Sequence, residues 1–549
     1  MTNVSLRILL VLLLALPVLG YGQSDLVLPP YAISGLYLDV QITNDDAGRP
    51  ADRVYVLQDG IYLLGTVITN NGYTLRMRAE DGATPVIYLY PPEGGTFPSH
   101  FLQMGGDAWL KDLVICGYVE ADTSQRYNNP PRMIRSQIAG FNITIDGCLL
   151  TNTRGEHLRF EADMSVVKIV NCVFSNQGDL NRSNLGAGKP IDFRNVNVDS
   201  AIIVNNTFVN FQDRLVPHYR SVGSLKYFRF DHNTAYNSMG FHGTLVLGNV
   251  GNEAIITNNL FLDTFISGAD TDATRQAEFD ETTELDARNN LGKMFWVLSV
   301  PNDSTKWTVA NNYYGVSPAV QAFYDETASA GVLGEGPALT HHINTRLGAD
   351  SSNAWKKTTF AFGAVPAPMV NMARWYRDPD GGNKTKNTPC ADCWDIDTDD
   401  FDRRVYKYFT DTLDCTYPTG TDAYTGALGG FPAGDLNWFP DKKTEWEAWI
   451  TAIDYSEIVH VADGFNLYQN YPNPFNPVTK ISFVMSRNEH IELSVYNMLG
   501  QEVAKLIDTR MKAGQHAVEW NAANYASGIY FYTLQYGSLR ATRKMVLVK

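Results

Sequence analysis

Six segments in the middle of this chain share one pattern, and that repeat limits the possible fold more than any other feature. They read ITIDGCLLTN (143–152), VKIVNCVFSN (167–176), AIIVNNTFVN (201–210), FRFDHNTAYN (228–237), AIITNNLFLD (254–263) and TVANNYYG (308–315). Aligned on Gly147, Asn171, Asn205, His232, Asn258 and Asn311, they advance by 24, 34, 27, 26 and 53 residues, the last step being about two of the others. A period of this size predicts a solenoid, in which each coil buries its apolar side against its neighbours. Two residues before the aligned position stand Ile145, Ile169, Ile203, Phe230, Ile256 and Val309, and three after it Leu150, Phe174, Phe208, Ala235, Phe261 and Tyr314. These two columns are the expected core. The position just before varies (Asp146, Val170, Val204, Asp231, Thr257, Ala310), as an outward one would. The position just after holds Cys148, Cys172, Asn206, Asn233, Asn259 and Asn312. Stacked asparagines at a corner would hydrogen-bond along the column and satisfy backbone groups that the bend strands. Cysteines there fill the slot as small hydrophobes. A period of two around a tight Asn corner argues for strands rather than helix pairs. The expected fold is therefore all-β, a parallel β-helix.

Earlier stretches, VYVLQDGIYLLGTVITNNGYTLRMRAE (54–80) and WLKDLVICGY (109–118), read as its first coils. From Val54 to Gly315 these residues resemble the pectin-lyase-like right-handed β-helix. That resemblance implies a fold and not an activity. After Gly315 the repeat fades. SPAVQAFYDETASAG (317–331) predicts a short helix, and CWDIDTDDFDRR (393–404) an acidic solvated loop that lacks the Gly and terminal Glu of an EF-hand. Cys390, Cys393 and Cys415 cluster without zinc-like partners, so one disulfide and one free thiol are expected. TGALGGFPAGDLNWFP (425–440) resembles the GDLNW-type segment that closes several exported β-helix proteins, and is expected to cap the open end of the solenoid.

Beyond Gly464 the composition changes. ISFVM, IELSVYNMLG, QEVAKLI, HAVEW, GIYFYTLQYG and TRKMVLVK read as seven or so short strands with turns at Gly500, Gly514, Gly528 and Gly537, which suits a small Ig-like β-sandwich. Nine Lys and Arg stand against five Asp and Glu from Phe465 onward, a charge of +4 against −19 for the rest. YPNPFNPVTKISF (471–483), VYNMLGQEV (495–503), GIYFYTL (528–534) and KMVLVK (544–549) resemble, block by block, the type A C-terminal sorting domain of the type IX secretion system. The matched positions include Tyr471, Pro472, Asn473, Pro474, Gly500, Gly528, Lys544 and Lys549. The resemblance implies a Gram-negative host, an outer-membrane type IX translocon as partner, and a product that is secreted or fixed to the cell surface.

The other end of the chain fits that route. Met1–Arg7 carries one positive charge, Ile8–Leu19 is almost unbroken aliphatic, and Gly20-Tyr21-Gly22 supplies small residues ahead of Gln23. This predicts a Sec signal peptide cut between Gly22 and Gln23. The apolar run is shorter than the ~20 residues of a membrane span, so no transmembrane segment is expected in the mature chain. The expected organisation is a signal peptide (1–22), the β-helix (23–315), an acidic cap region (316–456), a linker (457–464) and the sandwich (465–549). The net charge of −15 argues against nucleic acid as partner.

A parallel β-helix offers long flat faces suited to linear polymers, so a polysaccharide is the expected ligand. Basic residues gather between 132 and 229: Arg135, Arg154, His157, Arg159, Arg182, Lys189, Arg194, Arg214, His218, Arg220 and Arg229. A lyase acting on a uronic acid needs a cation or Arg on the carboxylate, a base for the C5 proton and an acid for the leaving oxygen. TRGEHLRFEA (153–162) resembles the Gly-Glu…Arg stretch of β-helix alginate and chondroitin lyases. DRLVPHYR (213–220) differs by one inserted residue from the Arg-x-Pro-x-x-Arg of pectate lyases. The catalytic candidates are Arg159, Arg194, Arg214, His218 and Arg220, with Arg135, His157 and Lys189 as binding residues. Glu156, Asp163 and Asp192 are the candidate ligands for Ca²⁺, the one cofactor considered. No aspartate ladder and no hydrolase-like carboxylate pair is recognisable. Two readings stay open: binding or display on polysaccharide without chemistry, and β-elimination by the Arg/His stripe.

Overall fold

The computed structural model describes residues 24–117, 119, 130–178, 187–218, 223–240, 243–266, 295–297, 305–326, 347, 351–377, 413–452, 465–467, 470–485, 489–498, 500–511, 514–536 and 539–549. Three parallel faces wind around one core. The first has ten strands, from Asp25–Leu28 to Lys306–Ala310, and the second has ten, from Gly60–Leu64 to Trp355–Lys357. The third runs through Ile68–Thr69, Leu102–Met104, Arg132–Ser136, Glu156–Phe160 and Lys189–Asp192, then continues in Val216–Pro217, Leu245–Leu247 and Phe295–Val297. An isolated parallel bridge from Arg194 to His218 joins the two parts. The chain is a parallel β-helix, and it extends past both ends of the repeat, to Asp25–Leu28 before it and Trp355–Lys357 after it.

The aligned position of the repeat is the corner between the first and second faces. Asn171, Asn205, His232, Asn258 and Asn311 all hold φ between 51° and 59°, and Gly147 holds 64°. This left-handed region costs an ordinary residue a Cβ clash and is tolerated best by Gly and Asn. The two expected core columns are buried throughout. Inside the solenoid Phe174, Phe208, Phe230 and Phe261 stack with centroids 5.0, 6.3 and 6.1 Å apart, and Trp355 continues the stack 5.9 Å beyond Phe261.

The asparagine ladder forms as expected. Asn206, Asn233 and Asn259 each donate from Nδ2 to the next asparagine's Oδ1, at 2.9, 3.1 and 2.8 Å. Each also donates to a backbone carbonyl, of Ile169, Ile203 and Phe230. A second ladder turns the corner into the third face. Asn152, Asn176, Asn210 and Asn237 are left-handed there, Asn210 donates to Asn176 Oδ1 at 3.1 Å, and Asn237 donates to Asn210 Oδ1 at 2.7 Å. Its signal was the final N of four of the six repeat segments.

Two expectations change. The column before the corner is not uniformly outward, since Val204, Asp231 and Thr257 are buried. What buries that part of the molecule is the segment 413–452, which lies along the side of the solenoid rather than over its end. Asp435 N donates to Thr234 Oγ1, Thr207 Oγ1 donates to Asp435 Oδ2, and Gly434 N donates to Asn258 O. Trp446 packs 5.0 Å from the His232 ring, and Tyr313 Oη reaches Asp422 O. This strap therefore crosses the successive coils of Thr207, Thr234, Leu260 and Tyr313, which share one register on the second face. The ends are closed by other elements. Helix Leu38–Thr43 puts Leu38 and Ile42 into the core at the start, and helix Pro318–Glu326, close to its expected span, adds Val320, Phe323 and Tyr324. Cys148 and Cys172 are buried free thiols in the ladder column, and Cys415 is a buried free thiol within the strap. Cys390, Cys393 and the acidic stretch 393–404 lie outside the described residues.

From Phe465 on, seven strands form two antiparallel sheets, one of three strands and one of four. Between them lies a separate core that includes Ile481, Phe483, Leu493, Trp520, Tyr532 and Met545. The YPNP stretch does more than lead into the first long strand. Asn473 Oδ1 accepts from Val546 N at 2.8 Å, and Phe475 N donates to Val546 O at 2.9 Å, so the start of the sandwich is tied to its last strand.

Candidate functional site

The third face carries a connected set of ion-paired side chains. Register explains it. Arg132, Glu156 and Lys189 are paired across three adjacent strands, and so are Arg135, Arg159 and Asp192, with Gln103 and Thr69 continuing the second row. Arg135 and Arg159 are 24 residues apart, the same step that separates Gly147 from Asn171. The repeat thus stacks guanidinium groups at the strand spacing of about 4.8 Å.

These arginines are interlaced with carboxylates. Arg135 donates from Nε to Glu161 Oε2 at 2.8 Å, and its Nη2 lies 2.6 Å from the same oxygen. Arg159 donates from Nη1 to Glu156 Oε1 at 3.0 Å and sets Nε 2.7 Å from Glu161 Oε1. Arg132 Nε is 3.8 Å from Glu156 Oε2. Burial would raise the Glu161 carboxyl, but the hydrogen bond from Arg135 and the charges of Arg159, Arg135 and Arg132 outweigh it and hold it below its usual range. Glu156 is pushed up, first by burial and then by the neighbouring Asp192 charge, against the pull of Lys189, Arg159 and Arg132. His100 sits close enough to feel the same field: burial, then Arg135 and Arg132, lower it to about 4, so it is neutral near pH 7. Arg132, Glu161 and His100 were not among the candidates. Arg132 stands one 24-residue step before Glu156, and that spacing was the available signal.

Of the five catalytic candidates, the four among the described residues sit in different settings. Arg159 is ion-paired on the shelf. Arg194 is a left-handed corner residue whose N–H donates to Asp192 Oδ1 at 3.0 Å. Arg214 is buried with Nε 3.8 Å from Asp213 Oδ2. His218 is buried and donates from Nε2 to the Val196 carbonyl at 2.9 Å, and burial lowers its pKa. Arg220 lies outside the described residues, as do Arg182, Gly22 and Gln23. Of the binding candidates, Arg135 is on the shelf, Lys189 is buried in register with Glu156, and His157 is interior, its ring 5.6 Å from Phe174.

The three candidate Ca²⁺ ligands separate. Glu156 and Asp192 feel one another electrostatically, but Asp163 is committed to a turn, accepting from Asn197 N at 2.8 Å and Asn197 Nδ2 at 2.9 Å. Among the described residues no three His, Cys, Asp or Glu side chains gather as a metal site would require.

In the sandwich, Tyr471 is exposed and pairs its backbone with Lys480. The Pro472 carbonyl accepts from Asn470 Nδ2 and Thr479 Oγ1. Asn473 and Pro474 lie in the stretch that holds the last strand, in which Lys544 pairs with Phe531. Gly500, at φ 76°, closes a tight turn from Asn497 to Gln501, and Gly528 begins the strand Gly528–Tyr536. Lys549 donates from Nζ to Ala523 O at 2.6 Å and from its backbone N to Ser527 Oγ at 3.1 Å.

Residues 469–549 match the family described as the secretion system C-terminal sorting domain. The chain is therefore an exported protein whose last domain is a type IX sorting domain, bound for secretion or the cell surface. Among solved structures, a PL6-family alginate lyase, AlyGC, aligns at 13% identity with a TM-score of 0.30, over 54% of this chain and 40% of that one. So distant a likeness carries no argument about chemistry, and the aligned part is less than half of that enzyme. No curated protein matches the sequence. Among the described residues no helix is long and apolar enough to cross a membrane.

Proposed function

We propose that this chain is an exported glycan-binding protein, in which the third face of the solenoid holds a carboxylated polysaccharide and the sandwich delivers it through the outer-membrane type IX translocon after Sec export. The observation that supports the binding reading best is the stacked Arg135 and Arg159. Glu161 holds Arg135 through Nε and Nη2, and Arg159 is held through Nε by Glu161 and through Nη1 by Glu156, so that Arg135 Nη1 and Arg159 Nη2 lie outside these pairs. A guanidinium held this way keeps N–H groups for a ligand carboxylate and loses little side-chain entropy on binding. An extended uronan lying along the solenoid axis would meet one such group on each of these two adjacent coils.

The test is binding of polygalacturonate and alginate to the full chain and to Arg135→Ala/Arg159→Ala. Affinity in the double variant should fall by roughly tenfold or more, and wild-type binding should weaken with added salt. Equal binding by both proteins would reject the site.

A second reading, β-elimination of a uronan, rests on Lys189, which is buried in register with Glu156 and adjacent to the Asp192 row. Ultraviolet absorbance of an unsaturated uronate product on either polymer, lost in Lys189→Met, would favour the lyase. No absorbance with and without Ca²⁺ would leave binding as the function.

A further inference from the structure

The outer surface of the second face is covered along only part of its length. The strap seals the coils of Thr207, Thr234, Leu260 and Tyr313, and it turns away at the 3-10 turn Leu436–Trp438. Beside that edge, over the preceding coils, lies a cleft of about 440 Å³. Its floor is Val114, Leu149 and Val173, which stand in the same outward register as Thr207. One wall is the corner column, Asp112, Gly147 and Asn171, and the other is Asn437 and Trp438.

Both walls are prearranged. Trp438 donates from Nε1 to Thr207 Oγ1 at 2.8 Å, which fixes the indole while leaving it half-buried. Asn437 donates to Asn205 O at 3.0 Å and accepts from Lys443 Nζ at 2.6 Å. Asn171 donates to Asp146 Oδ1 at 2.8 Å, so its own Oδ1 faces away from that bond. Gly147 is the one member of the six aligned corner positions with no side chain, and a methyl group there would meet Asp112 Oδ1 at 2.1 Å. The glycine opens a notch into which the Asp112 carboxylate fits.

A fixed, half-buried indole, an aliphatic floor and a rim of carboxylate and amide oxygens match the amphipathic surface of a sugar ring: C–H groups on one face and hydroxyl donors at the periphery. The rim carries Asp112, with Asp146 beside it, and the nearby Lys111 is already paired with Asp112. An anionic sugar would meet like charge. We propose that this cleft is a second glycan site, which takes a neutral pyranose unit stacked on Trp438 with its hydroxyls on Asp112 and Asn171. It is independent of the acidic-polymer site on the third face.

The experiment titrates the full chain with neutral gluco-, manno- and galacto-hexaoses and, in parallel, with oligogalacturonate, by calorimetry. At least one neutral oligosaccharide should bind. Trp438→Ala and Asp112→Asn should each weaken that binding by roughly tenfold, while oligogalacturonate binding stays as in the wild type. Trp438→Ala can loosen the strap, so Asp112→Asn, which touches no strap bond, is the deciding variant. Absence of neutral binding at millimolar ligand, or neutral binding that Asp112→Asn leaves intact, would overturn the proposal.

Discussion

The solenoid and the C-terminal sandwich are both built of strands, yet they solve the burial problem in opposite ways. The solenoid pairs its strands in parallel and stacks like on like: isoleucine over isoleucine, phenylalanine over phenylalanine, asparagine over asparagine. Each coil contacts mainly its two neighbours, so order is supplied by repetition and can extend indefinitely. The sandwich pairs its strands antiparallel around one closed core and ties its first stretch to its last through Asn473, Phe475 and Val546. The charges differ too, −19 for the first 464 residues against +4 for the sandwich.

The sharpest way to break this comparison is to remove one side of it. A chain ending at residue 464 should fold its solenoid but lose export almost completely, accumulating in the periplasm. Cell fractionation with antibody detection checks this, and undiminished secretion would sink the division of labour. Next in size is Phe208→Ala. Its ring lies between Phe174 and Phe230 in the stack, and truncation should cost about 3–5 kcal/mol by opening a cavity. Hydrogen exchange resolved by peptide should show the loss spreading through neighbouring coils and sparing residues 465–549.

The strap offers a pH test. Asp435 is buried beneath it, and burial pushes its carboxyl up to about 7, against the hydrogen bonds from Thr207 and Asn437. A carboxyl raised in the folded state contributes stability that is fully present below its unfolded pKa of about 4 and is lost as pH rises through about 7. Asp435→Asn should therefore match the wild type near pH 4 and exceed it near pH 8, by on the order of 4 kcal/mol. A constant difference between the two pH values would contradict the assignment. The smallest effect belongs to the sandwich. Gly500→Ala places a Cβ at φ 76° and should cost about 1 kcal/mol, read as faster exchange in the sandwich alone.

How much of this was legible in the sequence follows from how the two regions are written. The repeat announced the core columns and the first ladder because every coil reuses the same slots. The second ladder is written in the same way, as Asn176, Asn210 and Asn237 at the end of successive repeat segments. The strap was misplaced because nothing local in GDLNWFP says which surface it meets. Its partners, Thr207 and Thr234, lie more than 200 residues earlier and look like ordinary strand residues. The functional candidates were chosen by residue type, and burial then separated them: Arg135 and Arg159 fell on an outer row, whereas Arg214 and His218 fell inside. Reading their spacing against the coil period would have paired Arg135 with Arg159 and brought in Arg132.

The account turns on the sandwich being an address that acts whatever precedes it. The direct measurement is to fuse Phe465–Lys549 to an unrelated, folded reporter carrying a Sec signal, in a host with a type IX translocon, and to assay the reporter outside the outer membrane. The account predicts that the reporter crosses, and that a fusion lacking Tyr471–Phe475 and Lys544–Lys549 does not. A reporter that stays in the periplasm with the intact domain attached would contradict it.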